Sequence, residues 1–141
     1  MILGIGLDIV DLDGFAAQLS DPASAFVIGT FTPAERQRAG ALHGTSPTLH
    51  LAGRFAAKEA FLKAWSTARY GHPPALDHLD MRDIEVVADL HRRPKIVTHG
   101  AVHQALAELG PICTHLSISH DGRTAAAVVV LEQRAAVTHL G

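Results

Sequence analysis

A chain of 141 residues, 48% hydrophobic and 18% charged, buries roughly two-thirds of its unfolded surface on folding. That excludes a disordered or collagen-like chain and argues for a single domain spanning residues 1–141. The formal net charge of −2 provides no basic surface for nucleic acid.

Met1 leads directly into Ile-Leu-Gly with no basic leader, so a cytoplasmic location is expected. Residues 2–10 read as a strand. Leu3, Ile5, Leu7 and Ile9 fall on one face, and Gly4, Gly6 and Asp8 on the other. The second face is nearly bare, which lets something approach the backbone, and Asp8 stands at its end. Gly4-x-Gly6 lacks the third glycine of a dinucleotide loop. Asp11 and Asp13 start a short helix reaching Leu19. Asp21-Pro22, an N-cap followed by proline at N1, predicts another. Thr32-Pro33-Ala34-Glu35 is a capping box opening a helix over 33–39, with Gly40 at C′.

Residues 41–48 read as a loop, 49–69 as the longest helix and 71–80, with Gly71, Pro73 and Pro74, as a second loop. Residues 84–88 and 95–98 pair as a hairpin, and 101–109 form a helix closed by Gly110-Pro111. Cys113 is the sole cysteine, so no internal disulfide and no cysteine-based zinc site can form. Among Ile112, Thr114 and Leu116 it reads as buried and inert. Residues 114–119 and 125–131 are strands joined by an Asp121-Gly122 turn, and 133–141 are a loose tail. The longest apolar run near the C-terminus, 125–131, is far short of the ~20 residues that span a bilayer, so no membrane partner is expected. The order β-α-α-α-β-β-α-β-β does not alternate as a doubly wound sheet would. It predicts an α+β fold with helices packed on an antiparallel sheet.

The longest helix carries the most chemistry. Leu51, Phe55, Phe61, Leu62 and Trp65 share one broad side and alanines fill most of the rest, the pattern of a buried helix. Yet it holds Arg54, Lys58, Glu59 and Lys63, charges costly to bury unless paired or bound. Glu59 and Lys63, at i,i+4, read either as an ion pair or as groups facing a strand or ligand across small residues. Arg54 and Lys58 repel unless an anion lies near them or both reach solvent. Two carboxylates, Asp8 and Glu59, with a lysine on a small-residue helix suit Mg²⁺ and phosphate, because Mg²⁺ takes hard oxygens from carboxylates, substrate and water. His99 and His103 have helical metal spacing without a third ligand, and read as exposed histidines at a helix end.

Gly4-Ile-Gly-Leu-Asp8-Ile-Val, Phe31-Thr-Pro-x-Glu35, Arg54-Phe-Ala-Ala-Lys58-Glu59-Ala-x-x-Lys63-Ala and Leu116-Ser-Ile-Ser-His120-Asp resemble, in order and over about residues 2–132, the holo-[acyl-carrier-protein] synthase family, the small bacterial 4′-phosphopantetheinyl transferases. The resemblance implies transfer of 4′-phosphopantetheine from coenzyme A to a serine of an apo acyl carrier protein, with adenosine 3′,5′-bisphosphate as the other product, in fatty acid or polyketide biosynthesis. It implies Mg²⁺ and a homotrimer. It makes Asp8 and Glu59 metal ligands and sets Lys63 at the transferred phosphoryl group or the pyrophosphate. Arg54, Ser119 and His120 then hold the nucleotide and its phosphates, and Arg93-Pro94 lies near the adenine. The nucleophile belongs to the carrier. Glu59, a metal-bound water and His120 all remain as acceptors of its proton. Asp121 reads as a turn residue that can also lie near the metal.

Three departures stand out. Phe55 replaces a frequent Trp. Arg92-Arg93-Pro94 replaces the usual Gly-Arg-Pro, which puts the turn's shape in question. Residues 11–25 hold Asp11, Asp13 and Asp21 and no base, where relatives that dock a free acidic carrier have basic residues. A different docking surface, using Arg36 and Arg38, and a carrier domain within a multienzyme synthase are therefore expected. A non-catalytic nucleotide-binding scaffold and another Mg²⁺-dependent phosphoester enzyme are the competing readings.

Overall fold

The bare face of the first strand is where the longest helix docks. The computed structural model describes residues 1–135. Strand β1 (Ile2–Asp11) is followed by α1 (Leu12–Leu19), α2 (Phe26–Thr30), α3 (Pro33–Ala41) and α4 (Pro47–Ala68). A hairpin of β2 (Ile84–Ala88) and β3 (Pro94–Thr98) leads to α5 (Gly100–Leu106), and β4 (Ile112–Asp121) and β5 (Thr124–Gln133) complete the α+β fold. One sheet runs β1-β5-β4, antiparallel throughout, and the β2-β3 pair forms a second.

Alternation sorts the large sheet into two faces. Val10, Ala125, Ala127, Val129 and Leu131 point inward and are buried with Ala52, Ala56, Ala60, Phe61 and Ala64 of α4. The opposite face is not covered: Ile5, Leu7 and Ile9 of β1 are 55%, 56% and 65% exposed. Contiguous apolar surface of this kind marks an interaction site more often than a solvent face. At the other end of the core, Phe15, Phe26, Phe31 and Phe55 pack edge-on and stacked, with ring centroids 5.3 to 6.5 Å apart. Phe55, in place of Trp, is a full member of this cluster.

The charged groups of α4 do not all snorkel. Lys58 is fully buried, and its ammonium donates to Glu35 Oε1 at 2.7 Å and to the carbonyls of Ile84 at 2.6 Å and Met81 at 3.1 Å. Glu35 is the anion that the Arg54–Lys58 spacing requires. It also accepts the backbone N–H of Thr32, closing the capping box, and that of Val86 in β2. One carboxylate therefore ties α3, α4 and β2 together.

Several sequence expectations shift. Asp21-Pro22 starts no helix: the Asp21 side chain accepts from the Ala23 N–H, closing a local turn, and α2 begins only at Phe26. Gly40 lies inside α3, which runs on to Ala41. α4 runs over Pro47–Ala68 rather than 49–69, with Ser46 as its cap and Pro47 at N1. The β4–β5 turn is Gly122-Arg123, because Asp121 already pairs with Thr124, and Gly122 takes φ +54° at the first turn position. Cys113 is half-buried and receives a hydrogen bond from Arg134 Nε, so it is not sequestered. Gln133 belongs to β5, and the rest of the tail predicted over 133–141 lies, from residue 136 on, outside the described residues.

Candidate active site

Two glycines set the distance between the acidic residues. A Cβ at Gly6 would lie 1.9 Å from the Ala60 carbonyl oxygen, and one at Gly4 2.0 Å from that of Ala64. No side chain fits there, so β1 lies directly against the backbone of α4. Asp8 follows Gly6 by two residues on the same face, and Glu59 precedes Ala60. The contact therefore brings the two carboxylates to one cleft, lined by Asp8, Val10, Asp11, Phe15, Phe55 and Glu59. Burial first, and then the Asp8 charge, push the Glu59 carboxyl above its ordinary range, with Lys63 pulling the other way.

Lys63 reaches across rather than along the helix. Its ammonium donates to Asp8 Oδ1 at 2.9 Å and to the Leu7 carbonyl at 3.0 Å, while its side chain stays 53% exposed. The i,i+4 pairing with Glu59 is not the one formed. Asp8 and Glu59 thus line one cleft, and the Lys63 ammonium is bonded to Asp8. That donor set fits Mg²⁺, which takes one or two carboxylates and completes its shell from substrate and water. Among the described residues no group of three or more His, Cys, Asp or Glu side chains gathers around a point.

The second half of the site lies toward the start of α4. Gly53 of α4 is packed against Ile118 of β4, where an added Cβ would lie 3.0 Å from Ile118 Cγ2. That contact brings Arg54 to Ser119 and His120, in a hollow they share with Thr45 and His50. His120 is level with Ala125 and Val10 in the sheet register, two rows from Asp8. The grouping of Arg54, Ser119 and His120 is thus realised.

Other expected site residues sit differently. Arg93 is tied back to Asp89, its Nε 2.6 Å from Oδ2, with its side chain largely exposed. Pro94 opens β3 opposite Ala88. Arg92 holds φ +61°, so the turn keeps the left-handed shape that glycine takes freely, at a conformational cost of roughly 1 kcal/mol or more. Asp121 is level with Thr124 and Asp11 at the hairpin end, three rows beyond Asp8 and about 10 Å along the strand. Within this chain it is not gathered with Asp8. His99 and His103 part company: His99 faces Glu85 at 3.2 Å and His103 faces Thr98 at 3.0 Å.

Sequence reasoning missed a group of cations beside Arg54. Arg38, His50 and Arg92 line a cavity with it. Arg36 and Arg38, expected to dock a partner, are each half-buried with Nε out of solvent and unpartnered, and Arg38 turns to this cavity. His50 is 6% exposed, and its Nε2 has no partner. Burial, and then Arg54 and Arg38, lower its pKa to about 4. Burial and Arg38 likewise lower that of Arg54, against a smaller pull from Glu35. A histidine nine residues before a Glu-x-x-x-Lys pair carries no signal by itself; only the fold shows what surrounds it.

Comparison with known proteins is consistent across sequence and structure. The family model described as the 4′-phosphopantetheinyl transferase superfamily matches residues 4–129. A curated relative from Mycobacterium tuberculosis (strain ATCC 25618 / H37Rv), named holo-[acyl-carrier-protein] synthase, is 44% identical over 131 residues, 93% of this chain and 97% of the relative. The solved ACPS–CoA complex of Chronobacterium ammoniagenes superposes with a TM-score of 0.85 at 44% identity, covering 94% of this chain and 98% of that one. The holo-[acyl-carrier-protein] synthase of Neisseria meningitidis superposes with a TM-score of 0.76 at 33% identity, covering 94% and 100%.

Proposed function

This chain belongs to the 4′-phosphopantetheinyl transferase superfamily, and from that premise we propose that it is a holo-[acyl-carrier-protein] synthase, moving 4′-phosphopantetheine from coenzyme A to a serine of an apo acyl carrier protein. The observation that carries the reading is the pair of half-sites on one helix. Asp8, bonded to Lys63, and Glu59 line one cleft, and Arg54, Ser119 and His120 line the other.

The reaction forms a bond from the serine oxygen to the phosphorus that bears pantetheine. It breaks the bridging P–O bond, so adenosine 3′,5′-bisphosphate leaves. Such a transfer asks for positioning and charge neutralisation more than covalent participation. Lys63, half-exposed and already at an anionic oxygen, can exchange Asp8 for a phosphoryl oxygen of the pyrophosphate. Arg54 and His120 hold the nucleotide phosphates, and Ser119 offers a hydroxyl beside them. Arg93-Pro94 forms the turn beside the adenine. Asp8 and Glu59 would hold Mg²⁺, which when bound would supply charge neutralisation at the pyrophosphate. Glu59 and His120 are the two groups of this chain that can take the serine proton.

The finer parts of the reading follow the same chemistry. The exposed Ile5, Leu7 and Ile9 row suits cover by further copies of the chain, as a homotrimer. The free thiol of Cys113 suits the reducing cytoplasm. No helix among the described residues is long and apolar enough to cross a membrane. Helix α1 contributes Asp13 and no base, and Arg123 is paired with that Asp13. An acidic carrier therefore docks elsewhere, and a carrier domain embedded in a fatty acid or polyketide synthase is the favoured substrate.

Incubation with coenzyme A, Mg²⁺ and an apo carrier, read by the carrier's intact mass, tests the reading. Gain of one phosphopantetheine, lost with a chelator, is expected. Binding of coenzyme A without transfer to either a free or an embedded carrier would instead favour a nucleotide-binding scaffold.

A further inference from the structure

Strand β1 has β5 along one edge and, among the described residues, no strand along the other. Alternate residues of such a strand turn their N–H and C=O groups away from the partner strand. Two side chains of α4 meet those outward groups. Lys63 donates to the Leu7 carbonyl at 3.0 Å as well as to Asp8. Thr67 meets Ile5. Its hydroxyl accepts the Ile5 N–H at 3.2 Å, and its single proton has the Ala64 carbonyl at 2.9 Å and the Ile5 carbonyl at 3.2 Å as acceptors. The two ties fall in step, because four residues of helix rise about 6 Å and two residues of strand about 7 Å. Gly4 leaves room for the hydroxyl, since a Cβ there would lie 2.9 Å from Thr67 Oγ1.

The ties have different fates in the reaction. Transfer asks Lys63 to leave Asp8 for a phosphoryl oxygen, and the Leu7 carbonyl shares that ammonium. Thr67 is neutral, and no step of the chemistry competes for its hydroxyl. Resting on the transferase reading, we propose that Thr67 is a positioning residue, whose hydroxyl pins β1 to α4 at Ile5 and so holds Asp8 beside Glu59 while Lys63 is engaged with the phosphoryl group. Asp8 lies three residues beyond Ile5 on the pinned strand, and Glu59 lies on the helix that carries the pin. Threonine hydroxyls in helices often bond back to a carbonyl of the preceding turn. That habit accounts for the bond to Ala64 but not for the pair of contacts with Ile5, 62 residues away. With both ties gone, the strand is free to shift against the helix, and a displacement of about 1 Å at reacting groups costs up to about a hundredfold in rate.

Two variants of the full-length protein separate the hydroxyl from the shape of the side chain. Thr67→Val removes the hydroxyl and keeps the branching, and Thr67→Ser keeps the hydroxyl. With coenzyme A, Mg²⁺ and the carrier, Thr67→Val should lower kcat about five- to twentyfold while the KM for coenzyme A moves less than about threefold, because the pin matters most once Lys63 has turned to the phosphoryl group. Thr67→Ser should stay within about threefold of wild type in both constants. The Ile5 N–H lies at an exposed edge and can turn to water, so the melting temperatures of both variants should stay within a few degrees of wild type.

Amide hydrogen exchange reads the pin without turnover. The Ile5 N–H should exchange at least about tenfold faster in Thr67→Val than in wild type, and as slowly in Thr67→Ser as in wild type. Saturating coenzyme A should leave Ile5 protected in wild type, where Thr67 still holds it. Full kcat in Thr67→Val, an equal loss in Thr67→Val and Thr67→Ser, or Ile5 exchange unmoved by Thr67→Val would each overturn the proposal. No transfer by wild type to a free or an embedded carrier, with Ile5 exchange still governed by the Thr67 hydroxyl, would keep the pin and remove the transferase reading.

Discussion

Helix α4 carries two lysine–carboxylate clusters barely more than a turn apart, and they are built in opposite ways. Lys58 is fully buried, and all three of its ammonium donors have protein acceptors in Glu35, Met81 and Ile84. Lys63 is half-exposed and bound to Asp8 and a single carbonyl, beside a Glu59 held above its normal titration range. The first cluster is closed to any further ligand. The second keeps excess negative charge and free oxygen lone pairs at a cleft, which is what a cation and a phosphate require. Residue types alone do not separate the two. Satisfaction of their hydrogen bonds does.

The largest expected effect breaks the closed cluster. Lys58→Met should cost about 3–5 kcal/mol in denaturant unfolding, because Glu35 is left as a buried, partly unpaired charge. If the loss were under 1 kcal/mol, the pair would be incidental. Changing Glu35 to Leu as well should not restore full stability, since the Thr32 and Val86 N–H groups then lose their acceptor. Next, Asp8→Asn and Glu59→Gln should each lower transfer at least about a hundredfold, roughly 2.7 kcal/mol of barrier. Their melting temperatures should stay within a few degrees of wild type. Near-normal rates would remove both from the metal assignment.

A smaller effect depends on pH. The Thr32 hydroxyl, and then His99, hold the Glu85 carboxyl below its usual range, against the cost of its burial. Its folded form binds the proton less readily than the unfolded chain, so its contribution is full above the ordinary glutamate range and fades as pH falls through the folded value. Glu85→Gln should flatten that acid loss by about 1 kcal/mol or less, as followed by thermal melts between neutral and acid pH. The smallest effect lies in the open cluster. With a chelator at neutral pH, Glu59→Gln should stabilise the fold by about 0.5 kcal/mol, since it relieves the repulsion with Asp8. Destabilisation of that size or more would show that Glu59 is a structural residue after all.

Much of this was legible in the chain. The period-2 face of Gly4, Gly6 and Asp8 announced a close approach, and the alanine-rich helix with four charges announced what approaches. The capping box at Thr32 was readable because its chemistry is local. The second task of Glu35 was not, because Lys58 lies in a different element and 23 residues away. The same limit hid His50, Arg38 and Arg92, which three separate elements bring together. Asp21-Pro22 failed for the converse reason: a short-range side-chain turn to Ala23 competes with helix initiation, and composition does not say which prevails.

Among the described residues the strand that carries Asp8 pairs only with β5, so Ile2 lies opposite Glu132 and Asp8 opposite Ala127. This has a consequence in time. On the ribosome, β1 is made well before β5 and stays without a partner strand until nearly all of this sequence has been made. Non-local pairing of this kind slows folding and leaves an unpaired strand open to wrong partners while it waits. The cleft of Asp8 and Glu59 is therefore among the last parts to assemble. A chain released before residue 124 could form α4 and the β2–β3 hairpin, but it would have no partner strand to fix Asp8 against the helix.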